Sequence, residues 1–193
     1  METTLIRYKQ ALKFSQPWPY YLVDNFLPLD ALEKFQQTMC NSKEGFQRLP
    51  DDLWEVNFKF TPDLDLARIF LSEDFKLFLE SAADAELEIN QKSLVQLRYM
   101  NDSSPSMPIH TDTVEYRSLV CILYLSPNWK KENGGELLLH ENEKSSSEEA
   151  HIIEPIPNRM ILFFSDETNW HSVNKVKNWT RYSVMSEWIV QER

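Results

Sequence analysis

Hydrophobic positions in the first part of the chain recur at the spacing of an α-helix. After Pro28, which suits a first helical turn, apolar residues follow at intervals of three and four positions, with polar side chains between them. The apolar stripe of this predicted helix consists of Leu29, Leu32, Phe35 and Met39. Residues 17–27 precede it, begin with two prolines among aromatic residues, and predict a strand.

A second helical region is predicted at about residues 61–83. Thr61 is a suitable N-cap with Pro62 behind it, and the acidic Ser72-Glu73-Asp74 segment predicts that a further helix begins there. The expected apolar face consists of Leu64, Ala67, Phe70, Leu71, Phe75, Phe78 and Leu79. Between the two helical regions, the pattern predicts a loop at 43–53 and a strand over the alternating residues 54–60.

The second half of the chain, from Ser93 onward, is a series of short β-rich runs separated by turn residues. There are eight such runs, at residues 94–100, 107–112, 116–126, 135–141, 151–155, 159–165, 169–176 and 180–190. Eight regularly spaced strands favour a double-sheet jelly roll. We therefore predict an α+β, mainly β fold in one domain, with a jelly-roll (double-stranded β-helix) core at 93–193 and N-terminal supporting helices within 1–92. The adjacent Gly134 and Gly135 predict a turn that needs positive φ.

Composition and charge narrow the classes of function. The chain has 193 residues, of which 42% are hydrophobic, and this is enough for a buried core. Its formal net charge of −10 disfavours nucleic acid as a partner, because an acidic surface repels phosphates. Residues 1–9 lack the apolar stretch of a signal peptide, and no run approaches the roughly 18 apolar residues of a membrane helix. The sequence therefore predicts a cytoplasmic protein with no membrane association.

The candidate chemistry lies around residue 110. His110 and Asp112 are two positions apart at the end of a predicted strand, so both side chains should point to the same face. His171, early in the seventh run, is expected to supply a third ligand, and two histidines with one carboxylate are typical of non-haem Fe(II) oxygenases. Arg181, early in the eighth run, is suited to a bidentate grip on a carboxylate.

The remaining histidines and the cysteines have simpler interpretations. His140 and His151 lie beside the charged 141–149 segment and are interpreted as unrelated to the metal. Cys121 lies in an apolar run far along the chain from Cys40, which favours a buried reduced thiol over a disulfide. The alternative for His110 and Asp112 is an ordinary hydrogen-bonded pair without a metal.

Residues 94–190 resemble the catalytic domain of the Fe(II)- and 2-oxoglutarate-dependent dioxygenases, in particular the prolyl 4-hydroxylase-like branch. The resemblance depends on the order of several motifs, of which none is specific alone. They are Gln96-Leu97-Arg98-Tyr99, His110-Thr111-Asp112, the strand from Arg117 to Leu125, Asn133-Gly134-Gly135-Glu136-Leu137, Arg159 to Phe164, Trp170-His171 and Arg181-Tyr182-Ser183. The N-terminal Pro19-to-Pro28 run is also similar to the start of that branch.

This resemblance implies specific cofactors and roles. It implies Fe(II), 2-oxoglutarate and O2, with ascorbate as a possible reductant, and His110, Asp112 and His171 as the metal ligands. Arg181 would bind the distal carboxylate of 2-oxoglutarate. Ser183 shares its strand face, and Tyr99 and Tyr124 are further candidates for co-substrate binding. Arg117 and Trp170 are candidate substrate contacts, together with the loops 43–53, 101–107 and 127–133.

The expected reaction is hydroxylation of an unactivated C–H bond with release of succinate and CO2. The presence of Asp112 favours hydroxylation, because related halogenases lack this carboxylate. The substrate stays open between a prolyl residue in a protein or peptide and a small amino-acid-like metabolite. Alternative functions are a non-catalytic jelly-roll binding module, a nucleic-acid demethylase of the same superfamily, and a metal-dependent cupin.

Overall fold

The structure is a computed structural model, and it describes residues 10–41, 46–48, 57–60, 65–89, 95–112 and 116–191. The helices in these ranges are α1 (Leu29–Asn41), α2 (Asp65–Phe70) and α3 (Glu73–Ala83), with a 3-10 turn at Lys131–Asn133. The strands are β1 (Leu12–Phe14), β2 (Tyr20–Val23), β3 (Gln47–Arg48), β4 (Asn57–Phe60), β5 (Leu87–Ile89), β6 (Val95–Met100), β7 (Met107–His110), β8 (Ser118–Tyr124), β9 (Leu137–Leu139), β10 (His151–Ile153), β11 (Met160–Phe164), β12 (His171–Val173) and β13 (Arg181–Val190).

The strands form two antiparallel sheets, as the jelly-roll prediction requires. The larger has the order β1-β2-β11-β8-β13-β6-β4-β3, with β5 pairing β13, and the smaller has the order β10-β9-β12-β7. The eight predicted runs from residue 94 onward correspond to β6 through β13, four in each sheet. The predicted fold class is therefore confirmed, and the N-terminal strands extend both edges of the larger sheet, β2 and β1 beyond β11 and β4 and β3 beyond β6.

Side chains of the larger sheet alternate between two hydrophobic layers. On β8, Leu119, Cys121 and Leu123 pack with the helices on the outer face, whereas Val120, Ile122 and Tyr124 face the smaller sheet. Both faces are buried, which explains why this segment is apolar without interruption. The prediction for Cys121 is confirmed, since it is a free and buried thiol. Burial strongly raises the pKa of that thiol, so it stays protonated.

The helices cover the outer face through the apolar positions that the sequence indicated, with two exceptions. Leu32, Phe35 and Met39 of α1 are buried, and so are the aromatic residues that join α2 and α3 to the sheet. Leu29 and Leu71 were expected in these faces but are 70% and 45% exposed. Leu29 is the first residue of α1, and Leu71 directly follows the last residue of α2.

Helix α3 begins where the sequence predicts. The Ser72 hydroxyl accepts a hydrogen bond from the Phe75 amide at 3.2 Å, and this is the N-cap arrangement. The helix ends at Asp84, which has left-handed φ and ψ. The predicted cap at Thr61, the apolar residue Leu64 and the first part of the 54–60 strand lie outside the described residues.

Gly134 and Gly135 form the predicted turn, with φ of +65° and +78°. We expect Gly134→Ala to lower the free energy of unfolding by about 2–4 kcal/mol, because the added Cβ would overlap the carbonyl oxygen of Lys175 in a backbone conformation that alanine disfavours. Urea unfolding measures this loss. Gly135→Ala is the matched comparison, since the nearest atoms to its Cβ would be side-chain atoms of Arg181 and Val176 at 3.2 Å, and not a backbone carbonyl. An equal loss in both variants would show that backbone φ alone, without the Lys175 overlap, sets the cost.

Candidate metal centre and co-substrate cavity

Two of the predicted ligands are cross-strand neighbours in the smaller sheet. His110 ends β7, His171 begins β12, and the two residues pair directly in the antiparallel register. Their ring centroids are 4.3 Å apart, and both side chains are buried. Directly opposed residues on one face of an antiparallel pair are held close together, so the strand pairing alone brings these imidazoles to one point.

Both imidazoles present Nε2 toward that point. Nδ1 of His110 lies 2.8 Å from the carbonyl oxygen of Pro108, and Nδ1 of His171 lies 2.9 Å from the carbonyl oxygen of Asn169. A carbonyl only accepts, so each Nδ1 carries the proton and donates it. In a neutral ring this leaves the lone pair on Nε2, which is the orientation that histidine ligands of metals have.

Asp112 completes a group of three ligands. Its Oδ1 lies 3.7 Å from His110 Nε2, and its Oδ2 lies 3.5 Å from His171 Nε2. The three ligand atoms lie within 4.8 Å of one another. Ligands about 2.1 Å from a metal and at right angles to each other are about 3 Å apart, so a small inward shift closes this group around one ion. The residues fit a divalent metal, and their role as its ligands is developed below.

Arg181 lies in the same cavity and is buried, and none of the ion pairs among the described residues includes it. Its side chain is 6% exposed, and its guanidinium stacks over the Tyr124 ring at 4.9 Å from the centroid. The nearest recorded acceptor is the Met100 sulfur, at 3.8 Å. Arg181 Nε and the Tyr124 phenol oxygen are both buried, and neither has a hydrogen-bond partner in the described part of the chain. A buried cation is costly unless an anion pairs with it, so this end of the cavity is built for an anionic ligand.

The cavity joins the metal group to Arg181 and has a volume of about 300 Å³. Its apolar wall includes Val120, Ile122, Leu137, Phe163 and Val173, which come from both sheets. Ser183, predicted to share a face with Arg181, also lines it. Burial raises the pKa of the Tyr124 phenol, which stays protonated as a hydrogen-bond donor beside Arg181. A small dicarboxylate fits between the metal group and Arg181 in size and in charge.

Two charged residues of the cavity were not predicted. Arg98 on β6 and Glu187 on β13 both line it. Burial lowers the pKa of Arg98 to about 10, and Asp112 is the largest opposing influence. Glu187 accepts a hydrogen bond from the Ser118 hydroxyl at 2.6 Å. Glu187 is an even number of residues along β13 from Arg181 and Ser183, so all three side chains lie on the same face of the strand. This alternation could have indicated Glu187 from the sequence.

Four predicted contacts are not part of the cavity lining: Tyr124, which packs against the Arg181 guanidinium, and three residues that lie farther away. Tyr99 is on the opposite face of β6 from Arg98 and Met100, packed edge-on against Phe46 with ring centroids 4.8 Å apart, so its assignment to co-substrate binding is not retained. The Trp170 carbonyl accepts from the His140 amide at 2.9 Å, and the residue does not line the cavity. Arg117 is exposed and lies over the Phe164 ring, 4.3 Å from its centroid.

Arg117 borders a shallower hollow outside the metal group. This hollow is lined by Asp112, Tyr116, Arg117, Ser165, Asp166, Glu167 and Thr168. Because Asp112 borders both hollows, the outer one lies directly beside the metal group. Of the predicted substrate loops, 101–107 contributes Met107 to the cavity, 127–133 contributes no lining residue to either hollow, and 43–53 lies mostly outside the described residues.

The other two histidines are apart from the metal group, as interpreted from the sequence. His140 is buried, and its Nε2 lies 2.8 Å from the Ser172 hydroxyl. Burial lowers the pKa of His140, and the nearby His171 lowers it further. His151 is exposed, with Nε2 2.8 Å from the Tyr20 hydroxyl.

Non-haem iron oxygenases are the class of protein that combines a jelly roll with two histidines and a carboxylate in its cavity. The family model of the 2OG-Fe(II) oxygenase superfamily matches residues 95–189. Residues 95–189, just under half of the chain, are those of a domain of this superfamily, whose members use Fe(II), 2-oxoglutarate and O2. The predicted family and cofactors are thereby confirmed.

Known relatives and solved structures are consistent with this family. Prolyl 3-hydroxylase OGFOD1 of Xenopus laevis is 28% identical over 174 residues, which are 84% of this chain and 32% of that protein. The chain thus spans about a third of the length of the curated relatives it matches. A Pseudomonas putida prolyl-4-hydroxylase has the same fold, with a TM-score of 0.70 at 16% identity over 90% of this chain and 92% of that one.

A second solved structure is a prolyl hydroxylase from Trichoplax adhaerens in complex with a hypoxia inducible factor oxygen degradation domain peptide fragment. Its TM-score is 0.63 at 20% identity, over 89% of this chain and 83% of that one. At this level of identity the likeness establishes a shared fold. No helix within the described ranges is both long enough and apolar enough to cross a lipid bilayer.

Proposed function

We propose that this protein is a 2-oxoglutarate-dependent dioxygenase that hydroxylates an unactivated C–H bond, with His110, Asp112 and His171 as the iron ligands. The single observation that carries the proposal is that one cavity contains both the three ligand atoms, within 4.8 Å of one another, and the buried Arg181. A binding module without a metal has no use for three converging ligands beside an anion site. The family match supports the enzyme over that alternative and over a cupin.

Each residue has a distinct task in this proposal. Fe(II) with 2-oxoglutarate and O2 supplies the oxidant, so that R–H, O2 and 2-oxoglutarate become R–OH, succinate and CO2. His110 and His171 offer neutral nitrogen ligands because backbone carbonyls fix their Nδ1 protons. Asp112 supplies one negative charge, which leaves net positive charge on the metal for an anionic co-substrate. Arg181 pairs with the distal carboxylate of 2-oxoglutarate, with Ser183 and Tyr124 as hydroxyl donors beside it.

We propose a prolyl residue in a protein or peptide as the first substrate to test. The relatives are a prolyl 3-hydroxylase and a prolyl 4-hydroxylase by name, and the Trichoplax enzyme was solved with a peptide. The outer hollow beside Asp112 gives an extended chain a route to the metal group, and Arg117 on its border is available to a substrate carboxylate or carbonyl. The acidic net charge supports a substrate other than nucleic acid. A free amino-acid-like metabolite is the second candidate.

We expect the purified protein to form succinate slowly from 2-oxoglutarate with Fe(II), ascorbate and O2, and the His110→Ala variant to form none above background. Turnover without substrate suffices for this test, so the substrate need not be known. Succinate is measured by mass spectrometry with isotopically labelled 2-oxoglutarate. Thermal unfolding of both proteins separates loss of metal from loss of fold.

Two outcomes would decide against the proposal. If the wild-type protein bound neither Fe(II) nor 2-oxoglutarate anaerobically, only the fold assignment would survive. If His110→Ala formed succinate at the wild-type rate, the metal group would lie elsewhere. Candidate substrates are then screened with proline-containing peptides and free amino acids in parallel, and a mass increase of one oxygen on either class identifies it.

A further inference from the structure

The co-substrate cavity contains a second arginine whose role is not explained by the assignments above. Arg98 lies on β6 directly opposite Ser183 of β13, in the row of side chains that faces the metal group. Its neighbour in that row, Met100, lies opposite Arg181. The two guanidinium groups therefore come from adjacent strands and line one cavity.

The guanidinium of Arg98 has one recorded hydrogen bond in the described part of the chain. Its Nε donates to the Gln96 Oε1 at 2.9 Å, which is a neutral partner. The ion pairs among the described residues do not include Arg98, although it lies within electrostatic range of Asp112 and Glu187. A guanidinium removed from water needs a compensating anion. The terminal nitrogens of Arg98 thus have donors available for a ligand carboxylate.

The position of Arg98 indicates which carboxylate that is. Its charged neighbours are Asp112, a proposed metal ligand, Arg181, the proposed grip on the distal carboxylate, and Glu187. Asp112 is the strongest of these influences, and Arg98 lines the cavity on the strand next to that of Arg181, so the metal group and Arg181 are both its neighbours. 2-Oxoglutarate carries two carboxylates, and the cavity lining carries two arginines.

We propose that Arg98 holds the 1-carboxylate of 2-oxoglutarate, the carboxylate beside the metal, while Arg181 holds the 5-carboxylate. This inference rests on the proposed function. Two arginines offset both charges of the co-substrate, and the bidentate fork of Arg98 fixes the orientation of the metal-side carboxylate.

The test uses two analogues that each lack one carboxylate. 2-Oxopentanoate keeps the 1-carboxylate and has a methyl group in place of the 5-carboxylate, and 4-oxopentanoate keeps the distal carboxylate and has a methyl group in place of the 1-carboxylate. Binding of 2-oxoglutarate is measured by calorimetry with Mn(II) in place of Fe(II), and the analogues are measured by displacement. The proteins are wild type, Arg98→Gln, Arg98→Lys and Arg181→Gln.

We expect Arg98→Gln to weaken the binding of 2-oxoglutarate and of 2-oxopentanoate by about tenfold to a hundredfold, and to leave the affinity for 4-oxopentanoate unchanged. Arg181→Gln gives the complementary pattern, in which the binding of 4-oxopentanoate is weakened and the affinity for 2-oxopentanoate is unchanged. Arg98→Lys falls between wild type and Arg98→Gln, because it keeps the charge and loses the fork. Arg68→Gln is the matched control, since Arg68 is exposed on α2, which contributes nothing to the cavity lining.

Measurements of stability and of metal binding distinguish this role of Arg98 from positioning of Asp112 and from binding of the substrate. The Tm of ligand-free Arg98→Gln should equal or exceed that of wild type, because the variant no longer holds a charge away from water. If Arg98→Gln bound all three ligands and Mn(II) more weakly than wild type, this would show that Arg98 positions Asp112, and it would overturn the proposal. Unchanged 2-oxoglutarate affinity in Arg98→Gln would also overturn it and would assign Arg98 to the substrate. Failure of the wild-type protein to bind 2-oxoglutarate would instead refute the proposed function itself.

Discussion

Replacing Asp112 by alanine is expected to abolish turnover of 2-oxoglutarate and to lower metal affinity by more than about a hundredfold. Mutation of a residue that merely supports a metal ligand typically costs ten- to a hundredfold in metal affinity, and Asp112 is the proposed ligand itself. It is also the one anionic member of the group, with oxygens 3.7 Å and 3.5 Å from the two histidine nitrogens. Its loss leaves a divalent ion with two neutral ligands in a largely apolar cavity.

Anaerobic Fe(II) titration followed by equilibrium dialysis measures the affinity, and succinate formation measures the turnover. Glu167→Ala is the matched control, because it removes one negative charge from the outer hollow and leaves the three ligands intact. We expect this control to bind Fe(II) as wild type does. Should both variants lose the metal equally, the general negative potential of this region would explain binding better than coordination by Asp112.

The metal group was predictable because strand geometry is simple and local. His110 and Asp112 share a face through the two-residue period of extended chain, and the structure does bring both to His171. The sequence pattern did not show that β7 pairs with β12, and this pairing places His110 directly opposite His171. Pairing between strands about 60 residues apart depends on the whole sheet, so here it was assumed from the order of motifs.

The position of Tyr99 away from the cavity lining and the omission of Arg98 from the prediction have one cause. Strand β6 is covered on both sides, by the helices and by the smaller sheet, so apolar residues occur at both parities and the pattern alone does not indicate which face is inward. The register with β13 resolves this, because Arg98 lies opposite Ser183 and Tyr99 lies opposite Tyr182. Ser183 lines the cavity, whereas the rings of Tyr99 and Tyr182 lie 6.0 Å apart on the other face.

The limits of the fold prediction lie in the N-terminal half. The eight runs of the second half were all found, although β9, β10 and β12 have only three residues each. Strands β1, β3 and β5, with three, two and three residues, carry little periodic signal and were not predicted. These short strands extend the larger sheet or pair with β13, and their existence depends on edges supplied by other strands. Helix faces were predicted correctly in their centres and incorrectly at Leu29 and Leu71, where the turn before or after the helix decides exposure.

Replacing Arg181 by glutamine is expected to raise the Kd for 2-oxoglutarate by roughly thirty- to a thousandfold, equivalent to about 2–4 kcal/mol. The guanidinium is 6% exposed, stacks on Tyr124 and has no acidic partner among the described residues, so a ligand carboxylate is its natural counter-ion. Calorimetry with Mn(II) measures the Kd. The KM for 2-oxoglutarate should rise more than kcat falls, since the 5-carboxylate contact is made before and during the reaction alike.

Arg159→Gln is the control that distinguishes binding from general loss of an arginine. Arg159 makes a two-point pair with Asp24, at 2.7 Å and 3.0 Å, and lies outside the cavity lining. Its loss should cost at most about 1 kcal/mol of stability, because the Asp24 side is exposed, and should leave the Kd for 2-oxoglutarate unchanged. An Arg181→Gln variant that kept its affinity and lost stability would make Arg181 a structural cation. The lone thioether contact of Arg181 argues against that, since a cation placed for stability would have been buried beside a carboxylate.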